Sequence, residues 1–192
     1  MKHNTFCSML IPLIFTVRLG SSVNSKPLSS SPIGPYKFFV KQVYNCNPTQ
    51  DNKIQHNYYI SHRANSTVIL GNTTLDVLFD DTFFLEFNMA LKDSFGKWKE
   101  NVFMHTTPNA CSSIKKLIGN AANEFVHGFG LKNLNCPIPP GVYLGNGIHE
   151  SVLKETNVPK SFFYGTYKFH VQYSRKNEKF GCQVYIIEFK RP

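Results

Sequence analysis

Acidic residues are scarce: twelve Asp and Glu face 21 Lys and Arg, which leaves a formal charge of +9. A surplus of that sign favours anionic partners such as lipid headgroups, acidic glycans or nucleic acid. The bases are scattered along the chain rather than clustered, so a solubilising charge fits them as well as a docking patch does. Charged residues of either sign are only 17% of the whole. No segment beyond the first twenty residues approaches membrane-spanning length. Catalytic signatures are missing too, with no H-E-x-x-H, no G-x-S-x-G elbow and no glycine-rich phosphate loop. His56, His62, His105, His127, His149 and His170 are spread over the chain without acidic or thiol neighbours at ligand spacing. No pair of cysteines has the C-x-x-C spacing of a zinc or redox site. The expectation is therefore a protein that is not an enzyme and uses neither a metal nor a cofactor.

The first residues carry a different signal. Lys2 and His3 precede the apolar run Phe6 to Val17, and small residues follow from Gly20 to Ser25. That pattern predicts a secretory signal peptide over residues 1–25. The run contains Pro12 and ends at Arg18, too short to cross a hydrocarbon core of about 30 Å. A Ser- and Pro-rich stretch follows and predicts a flexible arm over 26–35, with one folded domain over 36–192. The destination is the extracellular space, with the lysosome as the alternative, and the secretory route disfavours nucleic acid as a partner. Without Cys7 the chain keeps Cys46, Cys111, Cys136 and Cys182, an even number that argues for two disulfides with three connectivities open. The sequons at Asn65 and Asn72 predict glycosylation on the same route.

Aromatics are abundant, with 17 Phe and nine Tyr. Either the core is aromatic or a cavity is lined by such side chains. Segments Tyr36 to Cys46, Tyr58 to Arg63, Thr67 to Phe79, Thr82 to Leu91 and Trp98 to His105 read as strands. Ser113 to His127 reads as one short amphipathic helix, with Ile114, Leu117, Ile118, Ala121 and Phe125 on its apolar stripe, Ser112 or Ser113 as cap and Gly128 past its end. CPIPPGVY suits a turn into an edge strand. An extended segment follows near Ile148 to Leu153. The chain ends on a hairpin: in Gly165 to Tyr173, Tyr167, Phe169, Val171 and Tyr173 alternate with Thr166, Lys168, His170 and Gln172, a dry face against a wet one. The fold class is mainly β, a two-sheet sandwich or cup.

The C-terminal 80 or so residues also carry a resemblance. A cysteine introduces the helix in CSSIKKLIGNAANEF; CPIPPGVY follows, then a proline loop into G-x-Y-K (VPKSFFYGTYK), a polar turn, and G-C before a final apolar strand in EKFGCQVYIIEF. In order and spacing these elements resemble the ML lipid-recognition family, in its ganglioside-activator branch and its insect secreted relatives, some of them chemosensory. The N-terminal half matches only as strands.

The resemblance implies an immunoglobulin-like pair of sheets forming a cup around an apolar cavity. It implies the pairings Cys46 with Cys182 and Cys111 with Cys136. The family's other cysteines are absent here, so the lid loops would be less constrained. The function implied is that of a secreted, non-catalytic protein that binds, transfers or presents a lipid or glycolipid, with a hydrolase or receptor as protein partner. The alternative is a secreted interaction or chemosensory protein with no functional cavity. On the dry strand faces, Phe83, Leu85, Phe87, Tyr167, Phe169 and Val171 are the candidates for lining such a cavity; the bland alternative is that all six fill a solid core. Lys160, Phe162, Phe163 and Tyr164, three aromatics beside a base, are the candidates for transient contact with an anionic membrane. The alternative is that Phe162 and Phe163 fold back and plug the cup.

Overall fold

A computed structural model describes residues 32–47, 51–63 and 66–192. The signal peptide, most of the arm and Asn65 lie outside the described residues. The fold is mainly β, a sandwich of a five-stranded and a four-stranded sheet, with a third sheet of only two strands. The first described element is β1 (Ile33–Pro35), inside the stretch expected to be an arm; it pairs with β9 (Ser161–Phe163) through Ile33 opposite Phe163.

The larger sheet holds five antiparallel strands in the order β2 (Lys37–Asn45), β11 (Glu178–Lys190), β10 (Gly165–Arg175), β5 (Phe84–Lys92) and β6 (Trp98–Thr107). The C-terminal hairpin thus occupies its centre. Its turn is two residues, Lys176 and Asn177, with φ of 51° and 64° between paired Arg175 and Glu178. Two consecutive left-handed residues match the right-handed twist of the flanking strands, and asparagine tolerates the conformation. The smaller sheet runs β3 (Ile54–Arg63), β4 (Ser66–Leu75) and β7 (Gly141–Leu144), with β8 (Ile148–His149) also on β4. β7 is an edge strand, consistent with the prolines that lead into it. The extended segment expected near Ile148 to Leu153 holds only those two strand residues before a 3-10 turn over Glu150–Glu155.

The helical segment differs from the single helix that the apolar spacing predicts. It is α1 (Ala110–Ile118), a 3-10 turn over Gly119–Ala121, then α2 (Ala122–Phe129). Gly119 has φ of 57°, and a Cβ there would lie 2.4 Å from the Asn157 side chain. A glycine at positive φ ends α1, a conformation that other residues adopt only with strain, and any side chain there would also have to displace Asn157. Asp81, from the turn before β5, accepts hydrogen bonds from the Ser112 backbone N–H at 2.8 Å and hydroxyl at 2.5 Å, so the first turn is held by a residue outside the helix. Gly128 lies within α2, which stops instead at left-handed Gly130. Ile118 and Ala121 of the stripe are buried with Leu134, while Leu117 is left exposed.

Two disulfides brace this arrangement. Cys46–Cys182 joins the residue just past β2 to β11 with Cα atoms 5.5 Å apart, and Cys111–Cys136 ties α1 to the segment before β7 at 6.0 Å. Both pairs are the ones that the family resemblance implies, and both are compatible with an oxidising, extracellular environment.

Candidate functional site between the sheets

Strand β10 has a neighbour on either side, so its inner face should be the driest surface of a filled sandwich. It is dry only at its ends. Tyr167 is 4% exposed and Tyr173 8%, whereas Phe169 and Val171 between them are only half-buried. Their register neighbours on the same face, Met89 and Tyr185 beside Phe169 and Phe87 beside Val171, are half-buried as well, while Gln183 on the other side of Val171 is fully buried. His56, Tyr58 and Ile60 of β3 show the same intermediate burial. The sheets are packed most closely at the two ends of this strand and at Gln183, and less closely around Phe169.

Each end has its own filling. Near the helix, Ile54, Leu75, Phe79, Phe83, Leu85, Tyr173 and Phe180 form a continuous buried cluster with Ala110 and Cys111. Phe83 and Phe180 meet edge to face at 4.9 Å, and the Arg175 guanidinium lies 4.5 Å above the Phe83 ring. At the opposite end Phe162 packs on Phe189 at 4.6 Å and on Tyr167 at 5.2 Å, with Tyr36 4.9 Å from Phe189. Of the six candidate cavity residues, Phe83 and Leu85 therefore belong to a solid core. Tyr167 belongs to the aromatic plug. Phe87 and Val171 pack against that core and Phe169 lies 6.2 Å from both Tyr167 and Phe189 of the plug, yet all three are only half-buried.

Where β2 faces β3 across the seam between the sheets, a cleft of about 580 Å³ is lined by Val43, Tyr44, Asn45, Cys46, His56, Asn57 and Tyr58. No carboxylate, lysine or arginine lines it. The His56 Nδ1 lies 3.0 Å from the Thr73 hydroxyl, which also meets the Tyr58 hydroxyl. Burial lowers the His56 pKa to about 4, so the imidazole is neutral at physiological pH. Burial likewise pushes the phenols of Tyr58, Tyr173 and Tyr185 up, and the whole cluster is uncharged.

A smaller cleft of about 220 Å³ lies on the wet face of the large sheet, with Glu86, Asn88, Met104, Thr106, His170, Gln172 and Lys179 around it. Glu86 accepts hydrogen bonds from Gln172 at 3.2 Å and from the Ser174 hydroxyl. Cys46, Cys182 and His170 bring possible ligand atoms within 4.8 Å of one another. With the sulfurs joined to each other, neither has a thiolate to offer a metal.

The four candidate membrane residues part company. Phe162 is in the plug, and Tyr164 donates its hydroxyl to the Pro35 carbonyl at 2.9 Å. Lys160 donates to the carbonyls of Lys154 and Thr156, both at 2.6 Å, and so folds back on its own chain. Phe163 is exposed. Sequence reasoning passed over Phe95, which is 88% exposed at the tip of the β5–β6 turn. The flanking pairs Leu91 with Tyr167 and Leu91 with Lys99 place this turn at the end of the sandwich where β10 begins, as are Phe163 and its exposed partner Ile33. Exposed Lys92, Lys97 and Lys99 are near Phe95 in the chain, as is Asp93, whose carboxylate accepts from the Phe95 and Lys97 backbone N–H groups at 2.9 and 2.8 Å. A lone aromatic in K-D-S-F-G-K-W was the available signal. Asn72 of β4 is half-buried, and its side-chain oxygen accepts from Asn57 at 3.1 Å.

No protein-family model matches the chain, and no curated protein sequence matches it either.

Proposed function

We propose that this is a secreted, non-catalytic lipid-binding protein of the ML type, which holds acyl chains between its two sheets and transfers or presents them. One observation carries the reading: the inner face of the central strand is buried at Tyr167 and Tyr173 and only half-buried at Phe169 and Val171 between them. A chain laid there would be stabilised by about 0.8 kcal/mol for each methylene buried. The neutral tyrosines and His56 beside it suit an uncharged guest. The exposed Phe95, with exposed Lys92, Lys97 and Lys99 near it in the chain, suits shallow contact with an anionic membrane from which a lipid could be drawn. The partners on this reading are a lipid or glycolipid ligand, a transient membrane surface and a hydrolase or receptor.

A second reading, a secreted interaction or chemosensory protein, draws support from Val142 and Leu144. They are exposed side by side on the edge strand β7. Native purification from a secreting host, followed by solvent extraction and mass spectrometry, separates the two. Co-purifying lipid at near-stoichiometric amount supports the carrier. Protein without lipid, and without uptake from vesicles, favours the second reading.

A further inference from the structure

Gln183 stands on the inner face of β11, opposite Val171 on β10 and Asn45 on β2. It is 1% exposed, and neither the oxygen nor the nitrogen of its carboxamide has a hydrogen-bond partner. A buried amide without a partner loses its hydration and gains nothing in exchange, a penalty that a leucine at the same place would not carry. His56 repeats the pattern. Its ring lies 5.6 Å from Tyr173, its Nδ1 is taken by Thr73, and its Nε2 is buried without a partner. Tyr173 is directly opposite Gly181, two residues from Gln183. Two orphaned polar groups thus stand near one tyrosine on the inner side of the seam: His56 lines the cleft, and Gln183 is the strand partner of Asn45, which also lines it.

We propose that Gln183 and His56 together dock the polar end of a neutral amphiphile, an acyl amide being the simplest, whose chain runs along Phe169 and Phe87. The inference rests on the lipid-binding reading above and specifies its ligand. A carboxamide presents one donor and one acceptor in a plane, and a second amide presents the complementary pair. The His56 Nε2 supplies a third contact. A carboxylate or phosphate head would enter a site that has no counter-charge to replace its hydration. β2 and β3 belong to different sheets, so side-chain packing holds the seam and no strand ladder crosses it. The seam can therefore part around a head group while the Cys46–Cys182 bond, which joins neighbouring strands of one sheet, stays in place.

Oleamide and cis-9-octadecene, which differ in the head group, provide the test by titration calorimetry with the full mature chain. In an apolar pocket with no polar dock, oleamide should bind about a hundredfold more weakly than the alkene, because its amide is desolvated unpaired. The proposal expects oleamide to bind at least as tightly as the alkene, and Gln183→Leu to weaken oleamide about tenfold while leaving the alkene unchanged. Nitrogen-15 resonances of the Gln183 side chain in the unsubstituted protein give a second readout if the variant does not fold. They should shift with oleamide and not with octadecene. Binding of both probes with the alkene strongly preferred and the Gln183 signal unmoved overturns the dock while leaving the carrier reading intact. Uptake of neither probe overturns both.

Discussion

Phe162 and Phe189 pack with ring centroids 4.6 Å apart, which closes the end of the sandwich where β10 begins. The neighbouring Phe163 points away and is 42% exposed. Two adjacent phenylalanines thus have different tasks. Phe162→Ala should destabilise the protein by about 2 to 4 kcal/mol, and Phe163→Ala by less than about 0.5 kcal/mol. Phe169→Ala, where the sheets pack less closely, should fall below Phe162→Ala. Urea unfolding of the three variants checks the order, and equal losses for Phe162 and Phe163 would contradict the plug.

Removal of the two disulfides should not be equivalent. Cys46–Cys182 spans 136 residues and Cys111–Cys136 spans 25. In the chain-entropy account the longer loop contributes roughly 5 kcal/mol and the shorter roughly 3.5 kcal/mol. Paired Cys→Ala variants, compared by denaturant midpoint, should show the larger loss for Cys46 and Cys182. The reverse order would mean that tying helix to sheet matters more than closing first strand on last.

His56 gives the stability a pH dependence of definite sign. Its folded pKa of about 4 lies below an unfolded value near 6.5, so the unfolded chain binds the extra proton between those values. The contribution is fully present above about pH 6.5 and is lost as pH falls towards 4, on the order of 1 to 3 kcal/mol. Tyr58 and Tyr173, which face the ring, are neutral throughout and cannot offset it. His170, also lowered by burial, adds a slope of the same sign. His56→Gln should flatten the stability profile over that window relative to the unsubstituted protein; parallel profiles would show that the ring is not held neutral.

Membrane contact should depend on Phe95 more than on the 160–164 loop. Phe95→Ser is expected to lower sedimentation with phosphatidylserine-containing vesicles about tenfold, and raised salt should weaken binding by screening the lysines near it in the chain. Phe162→Ser should act only through stability. Unchanged vesicle binding by Phe95→Ser, with the fold intact by circular dichroism, would contradict this placement.

The hairpin at the centre of the large sheet was legible because period-two alternation assigns Tyr167, Phe169, Val171 and Tyr173 to one face whatever they pack against. Alternation gives a face and not a depth. It therefore could not separate Phe83, buried in a solid cluster, from Phe169, which is half-buried. The break at Gly119 was hidden for a similar reason: the apolar spacing runs through it, and the residue that crowds it, Asn157, is far along the chain. The engagement of Lys160 with two carbonyls follows from the fold of the 3-10 turn before it. Phe95 gives little sequence signal of its own, since a single aromatic in a turn has no periodic partner. Gln183 shows the limit most clearly, because a polar residue in an apolar strand reads as a surface position until its neighbours are known.

The central claim is that acyl chain lies between the sheets along the middle of β10. Loading the protein with a fatty acyl probe carrying a mid-chain diazirine, irradiating it and mapping the labelled peptides tests this directly. Insertion at Phe87, Phe169 and Val171 is predicted, at about one probe per protein. Labels confined to Phe95, Phe163 and other outer residues, or scattered at every ratio of probe to protein, would contradict it.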